Sequence, residues 1–290
     1  MHFVKAKSLL TRWNGMNIYR GCAHGCIYCD SRSKCYHIDH SFEDIEVKIN
    51  APELLEEILR RKRRRIMIGT GSMSDPYQPC EEELRLTRRC LELIDRYEFG
   101  ATVITKSDRV LRDIDLFDSI NSKGRSVLQM TLTIADDELS RIIEPNVCPT
   151  SRRYEVLKEF QKRGIPAVVW LSPLLPFLTD TEENFSRLME LCLDTGVKGI
   201  VFFGIGMTLR EGSRDYFYQA LDRHFPGLSS RYRERFGDAY ELFGQNSPRL
   251  MERFHETCER YKIIHDPEEC FAYTAELPER YQQLSLFDQT

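Results

Sequence analysis

The stretch YRGCAHGCIYCDSRS, Tyr19 to Ser33, decides how this chain is read. Cys22, Cys26 and Cys29 fall on one short loop, and no fourth cysteine follows at a matching interval. Three thiolates on one loop can face a single metal or cluster, and three ligands leave one coordination position open. A structural zinc site is the alternative; it wants four ligands, and His24, Cys35, His37 and His40 are at hand to complete it.

The surrounding composition favours reduced thiols. Ten cysteines in 290 residues do not make the short, secreted chain in which a disulfide framework is the default. The N-terminus, MHFVKAKSLLTRWNG, lacks the apolar core and cleavage site of a signal peptide, and the mean hydropathy of -0.44 offers no membrane span. A cytoplasmic protein with no membrane partner is expected. The net charge of -4 supplies no overall attraction to nucleic acid, so such binding needs a local patch.

Beyond residue 50, helical periodicity alternates with short β-branched runs, the pattern of parallel strands joined by crossover helices. Strands are expected at Met16–Tyr19, Ile66–Thr70, Ala101–Lys106, Ser126–Thr133, Pro166–Ser172 and Gly199–Gly204. Helices are expected between them, in APELLEEILRRKRRR, EEELRLTRRCLELIDRYE, RVLRDIDLFDSI, SRRYEVLKEFQKRG and TEENFSRLMELCLDTG. The fold class is α/β: a partial (β/α)6 barrel of the TIM type, with chemistry on the loops after the strand C-termini. The barrel occupies residues 1–211, a helical extension 212–278 and a flexible tail 279–290.

Tyr28, placed just before the last cysteine, completes C-x3-C-x-Φ-C, which resembles the signature of the radical S-adenosylmethionine (SAM) superfamily. GTGSMSDPYQPCE (69–81), ITKSDRVLRDIDLF (104–117), IIEPNVCPTSRR and LSPLLPFLTDTEEN look like the spore photoproduct lyase-like branch, over about residues 15 to 210. The resemblance implies a [4Fe-4S] cluster on Cys22, Cys26 and Cys29, with SAM on the open iron. It implies one-electron cleavage of SAM to a 5′-deoxyadenosyl radical that abstracts hydrogen from substrate, with the protein orienting and shielding that step. It places Tyr28 beside the adenine, Lys106 on the SAM carboxylate and Ser74 in contact with SAM. Thr131 and Thr133 share one face of a strand and are candidates for the ribose, or simply β-formers. Ser74 and Asp75 are alternatively a turn cap before Pro76, and Gly69–Ser72 is a loop whose backbone can approach a ligand.

One departure limits the carry-over. The lyase returns hydrogen to its product radical from a cysteine, and this chain aligns Ser72 there. An O–H bond is too strong to give hydrogen to a carbon radical readily, so the thymine-dimer reaction does not transfer. Cys80 is the substitute donor only if its loop folds back; otherwise it is a free thiol. Cys90 and Cys192 read as core, and Cys148, Cys258 and Cys270 lack the spacing of a second cluster. Arg112, Asp113 and Asp115 read as a salt-bridged packing element, while Glu144 and Arg152 are open candidates near the fourth strand.

The run RRKRRR, 60–65, belongs on the face opposite the catalytic loops. Tyr216, Phe217, Tyr218, Arg231, Tyr232, Arg233, Arg235, Phe236 and Tyr240 either pack helices onto the barrel or clamp bases. Gln283, Leu284, Ser285, Leu286 and Phe287 (QLSLF) look like the pentapeptide that docks bacterial repair proteins on the polymerase sliding clamp, with a tail folded on its own domain as the alternative. The expected function is a radical SAM enzyme acting on nucleic acid, in DNA repair or modification, supplied by an electron donor. The competing readings are a radical SAM enzyme on a peptide, RNA or small molecule, and a non-catalytic iron-sulfur or zinc module in a DNA-associated complex.

Overall fold

The computed structural model describes residues 1–204 and 206–278. Six parallel strands lie in chain order: β1 (Gly15–Met16), β2 (Met67–Thr70), β3 (Gly100–Thr105), β4 (Ser126–Thr131), β5 (Ala167–Trp170) and β6 (Gly199–Val201). The sheet is an open partial barrel, as the strand-helix rhythm predicts. Crossover helices α1 (Ala51–Arg61), α2 (Leu86–Arg96), α3 (Ile114–Lys123), α4 (Thr150–Lys162) and α5 (Glu182–Asp194) cover its outer face. In α5, Thr181 caps the N-terminus by accepting from Asn184 N, and Phe185, Leu188, Met189 and Cys192 form the buried stripe at three- and four-residue intervals.

Alternation divides each strand between two cores. Ile68, Val103, Leu128, Met130, Val169 and Ile200 pack outward against the helices, while Met67, Val127, Val168 and Val201 face inward. The inner face is layered along the barrel axis. Its floor is apolar and sealed by Cys270 of a C-terminal helix; above it Trp170 Nε1 donates to Gln129 Oε1, and Gln129 Nε2 donates to Thr102 Oγ1, at 2.8 and 2.7 Å. Thr131, two residues beyond Gln129, opens the next layer at the strand C-termini.

The extension comprises α6 (Ser213–His224), α7 (Leu228–Phe236), α8 (Ser247–Tyr261) and α9 (Pro267–Ala275). Phe217, Tyr218 and Tyr232 are buried in one aromatic cluster, with Arg231 over Phe177 and Arg233 over Tyr218. The packing reading fits Phe217, Tyr218, Arg231, Tyr232 and Arg233, whereas Tyr240 is exposed. The helix α9 does more than cover one side: it fills the barrel interior from below. RRKRRR lies before β2, at the strand N-termini, with Arg60, Arg61 and Arg65 paired to Glu56, Glu57 and Glu98. Among the described residues no helix is long and apolar enough to cross a membrane.

Three sequence expectations need correction. The single strand Met16–Tyr19 is broken: Gly15–Met16 joins the barrel, while Tyr19–Arg20 pairs antiparallel with Glu46–Lys48, which pairs parallel with His2–Val4. The helix expected from Glu81 onward is interrupted at Arg85, which has φ +49°. Buried Glu81 reaches forward to accept from Thr87 N at 3.1 Å and so caps α2 in place of a continuous helix. RVLRDIDLFDSI likewise begins as a 3-10 turn, Asp108–Asp113, before α3.

Candidate active site

The cysteine loop leaves the first strand region through Gly21, whose φ is +83°; a Cβ there would lie 2.5 Å from the Phe42 carbonyl. That close approach lets Cys22 N donate to Phe42 O at 3.0 Å. The far side is held by Asn146, whose backbone N donates to His24 O and whose Nδ2 donates to Ala23 O. Helix α6 supplies a third support: the Tyr216 hydroxyl reaches Gly25 O at 3.5 Å, and Arg32 stacks between Tyr216 and Phe42, 3.7 and 4.5 Å from their ring centres.

So braced, Cys22, Cys26 and Cys29 line one cavity with His24, Tyr28, Ser72, Ser74, Asp75, Lys106 and Thr131. Burial, aided by Asp75, pushes the Cys22 thiol up to about 12, and burial pushes Cys26 up as well. Metal binding would take the place of the thiol protons. Lys106 opposes that apolar environment. Burial disfavours its charge, but Cys26 and Glu144 outweigh it and raise its pKa; its Nζ, 5.8 Å from the Tyr28 ring centre, has no hydrogen bond or ion pair among the described residues. An ammonium on the cavity wall without a hydrogen-bond acceptor can receive an anion.

Beneath it lies a buried polar network. Tyr28 donates its hydroxyl to Glu144, Arg153 pairs with the other Glu144 oxygen, and Arg153 also donates to Thr131 O at 3.1 Å and Cys148 O at 2.9 Å. Burial opposes the Glu144 charge, yet Arg153, Lys106 and the Tyr28 hydroxyl together hold its carboxyl below the ordinary value. Glu144 thus belongs to the site, whereas Arg152 turns away to pair with Asp108 and Glu155. The sequence left Arg152 an open candidate and did not single out Arg153. The phase of α4 carries the signal: Val156, Leu157 and Phe160 define its buried face, and Arg153 shares it.

The strand-two loop is tied down rather than open. Asp75 accepts from Tyr77 N, Thr105 Oγ1 and Lys106 N at 2.8 to 2.9 Å, and its Oδ2 lies 3.4 Å from His24 Nδ1. Asp75 is a turn anchor, as the capping alternative expects. Ser74 donates its hydroxyl to Gly21 O and accepts from Gln78 Nε2 at 3.2 Å. Gly71, at φ +101°, is needed for another reason than ligand approach: a Cβ there would lie 2.0 Å from Ile104 O. Thr133 is fully buried and outside the cavity lining, with its hydroxyl unpaired.

Cys80 is not brought to the cavity. It packs against the outer core at the start of Glu81–Leu84, and burial with Glu81 pushes its thiol up to about 11. Cys90 and Cys192 are core, as expected. Cys148 sits beside Lys106 O at the strand C-termini, while Cys270 seals the opposite end, so Cys148, Cys258 and Cys270 do not gather. Arg112, Asp113 and Asp115 form the expected packing element with Arg88 and Glu81. A second cavity of about 300 Å³ shares Tyr28, Cys29 and Lys106 with the first and is walled by Trp170, Pro173, Phe203 and Met207.

Residues 16–210 match the model of the radical SAM superfamily. The chain belongs to the radical SAM superfamily. It is 28% identical over 257 residues to the uncharacterized protein Rv2578c of Mycobacterium tuberculosis, covering 87% of this chain and 75% of that one. It is 35% identical over 171 residues to the uncharacterized protein MJ0683 of Methanocaldococcus jannaschii, covering 58% and 62%. Among solved structures it shares the fold of spore photoproduct lyase complexed with dinucleoside spore photoproduct, at TM-score 0.60 and 14% identity over 86% of this chain and 74% of that one. The cofactors of this superfamily are a [4Fe-4S] cluster and SAM. The donor set fits them: three thiols on one cavity, the Lys106 ammonium on its wall, and a buried His24 Nε2 without a hydrogen-bond partner among the described residues.

Proposed function

We propose that this radical SAM enzyme acts on nucleic acid, in repair or modification of a DNA base. The observation that carries the reading is the pair of joined cavities. Tyr28, Cys29 and Lys106 line both the cysteine cavity and the compartment walled by Trp170, Phe203 and Met207, so a planar apolar group held there lies next to the cysteine loop. A structural relative of the same fold is a lyase complexed with a dinucleoside photoproduct, which supports the substrate class.

In this proposal Cys22, Cys26 and Cys29 hold the cluster, which supplies the electron that cleaves SAM and starts hydrogen abstraction. Lys106 binds the SAM carboxylate through its free ammonium. Ser74, whose proton is committed to Gly21 O, contributes an acceptor oxygen, Tyr28 flanks the adenine, and Thr131 alone forms the ribose side, since Thr133 is buried outside the cavity. Glu144 and Arg153 fix Tyr28 and Thr131, and the braced loop keeps water from the cysteines. Ser72 lines the cavity at the position where the lyase requires a thiol, so hydrogen return by that route is absent and the reaction differs from thymine-dimer reversal.

The tail motif Gln283–Phe287 falls outside the described residues; the sliding clamp and an electron donor are the partners proposed. The deciding experiment supplies deuterated DNA, RNA and peptide pools to the reduced enzyme with SAM and looks for label in 5′-deoxyadenosine. Label from DNA supports the reading; label from peptide alone overturns it. Clamp recruitment is tested by pull-down, which Phe287→Ala should abolish.

A further inference from the structure

We propose that His2, His40 and Asp44 form a second metal site, separate from the cysteine cavity, for a borderline divalent cation of the zinc type. One ligand atom from each lies within 4.8 Å of the others, and His2 Nδ1 is 2.9 Å from Asp44 Oδ2. Tetrahedral zinc at its usual bond lengths holds ligand atoms about 3.3 Å apart. Small side-chain rotations close the remaining gap, and His2 and Asp44 are exposed enough to make them, at 39% and 42%.

The hydrogen bonds around the two imidazoles favour a metal. His40 Nδ1 lies 2.9 Å from Ser41 O, so it must carry the proton and donate, which leaves the lone pair on Nε2. That Nε2 is shielded from solvent and has no hydrogen-bond partner among the described residues, while the ring lies edge-on to His2, 4.8 Å between centres. His2 Nε2 lies 4.0 Å from Glu46 Oε2, on the strand where His2 and Glu46 are paired in register. A metal on His2 Nδ1 therefore leaves Nε2–H to Glu46, and a metal on His40 Nε2 leaves Nδ1–H to Ser41 O. His40 has the outer partner that orients a metal-bound histidine, a carbonyl on its second ring nitrogen, and Glu46 is placed to become the carboxylate partner of His2 after a small side-chain shift. A cation here would replace the proton that His2 Nδ1 and Asp44 Oδ2 share at 2.9 Å.

Two imidazoles and a carboxylate select zinc-type ions over magnesium or calcium, and the absence of thiolate distinguishes the site from the cysteine loop. Its position gives it a role. It would join the N-terminal strand to the segment whose Phe42 carbonyl anchors Cys22 N.

The test uses the full chain with its cluster reconstituted, so that Cys22, Cys26 and Cys29 are occupied. Zinc is added, excess is removed, and the metal is quantified and examined by zinc-edge X-ray absorption. One zinc per chain with nitrogen and oxygen ligands only is expected. His40→Gln should weaken zinc binding by more than the roughly 10- to 100-fold that loss of an outer partner costs, and Glu46→Gln by about that range. Circular dichroism verifies that the variants fold, and a double variant, His2→Gln with Asp44→Asn, repeats the test at the other ligands. Sulfur in the zinc shell, no retained zinc, or binding unchanged in both the His40 and the double variant overturns the proposal. None of these readouts depends on the radical SAM reaction, so failure here leaves the proposed function standing.

Discussion

Glu144 and Arg153 form an ion pair with both side chains fully buried, directly beneath Tyr28 of the cysteine loop. Removing one partner strands a buried charge, at a cost of about 3–5 kcal/mol. Arg153→Met and Glu144→Gln are each expected to lower the urea midpoint strongly. The joint change Glu144→Leu with Arg153→Met is expected to cost less than the sum of the single effects, because the two charges of the pair leave together.

The same pair sets a pH dependence. The folded-state pKa of Glu144 is lowered, so its contribution is fully present above the ordinary carboxylate value and is lost as pH falls through the lowered folded value. Wild type should therefore exceed Glu144→Gln in stability at neutral pH, and the gap should narrow in acid. A gap that widens on acidification contradicts the assigned direction.

The cysteines separate by place in the fold. Cys26→Ser should lose iron and SAM-dependent 5′-deoxyadenosine together, whereas Cys80→Ser and Cys148→Ser should retain bound iron, since neither thiol lines the cysteine cavity. Iron analysis on anaerobically reconstituted protein reads this directly. Loss of iron in Cys148→Ser, with folding intact, would assign it to the cluster.

Lys106 offers the one unpaired ammonium of the cavity lining. A charge-assisted hydrogen bond is worth about 1.5–3 kcal/mol, so Lys106→Met should weaken SAM binding roughly 10- to 100-fold. Iron content should stay unchanged. Calorimetric SAM titration of the unreduced enzyme checks it without turnover.

What the sequence made legible was local. The cysteine spacing, the aromatic at Tyr28 and the position of Lys106 at a strand end each lie within a few residues of the signal that marks them. What it hid was nonlocal: Glu81 reaching forward to cap α2, Tyr19 leaving the barrel for a strand that pairs with the N-terminus, and Arg32 stacked on Tyr216 from the extension. Arg153 lies between these cases. Its neighbour Arg152 has the same chemistry, and only the helical phase set by Val156, Leu157 and Phe160 tells which one turns inward.

The compartment beside the cysteines rests on Trp170, whose ring is fixed by its bond to Gln129 and by edge contact with Phe203, 6.2 Å between centres. If a base occupies that compartment, Trp170→Ala removes a stacking surface worth about 1–3 kcal/mol. The substrate KM should rise roughly 5- to 100-fold by that figure. The uncoupled formation of 5′-deoxyadenosine, which needs only SAM and the cluster, should persist. Gln129→Leu should act in the same direction but more weakly, since it frees the ring without deleting it. If both variants lose SAM cleavage and leave substrate affinity unchanged, the aromatic wall serves the cofactor, and the substrate must enter elsewhere.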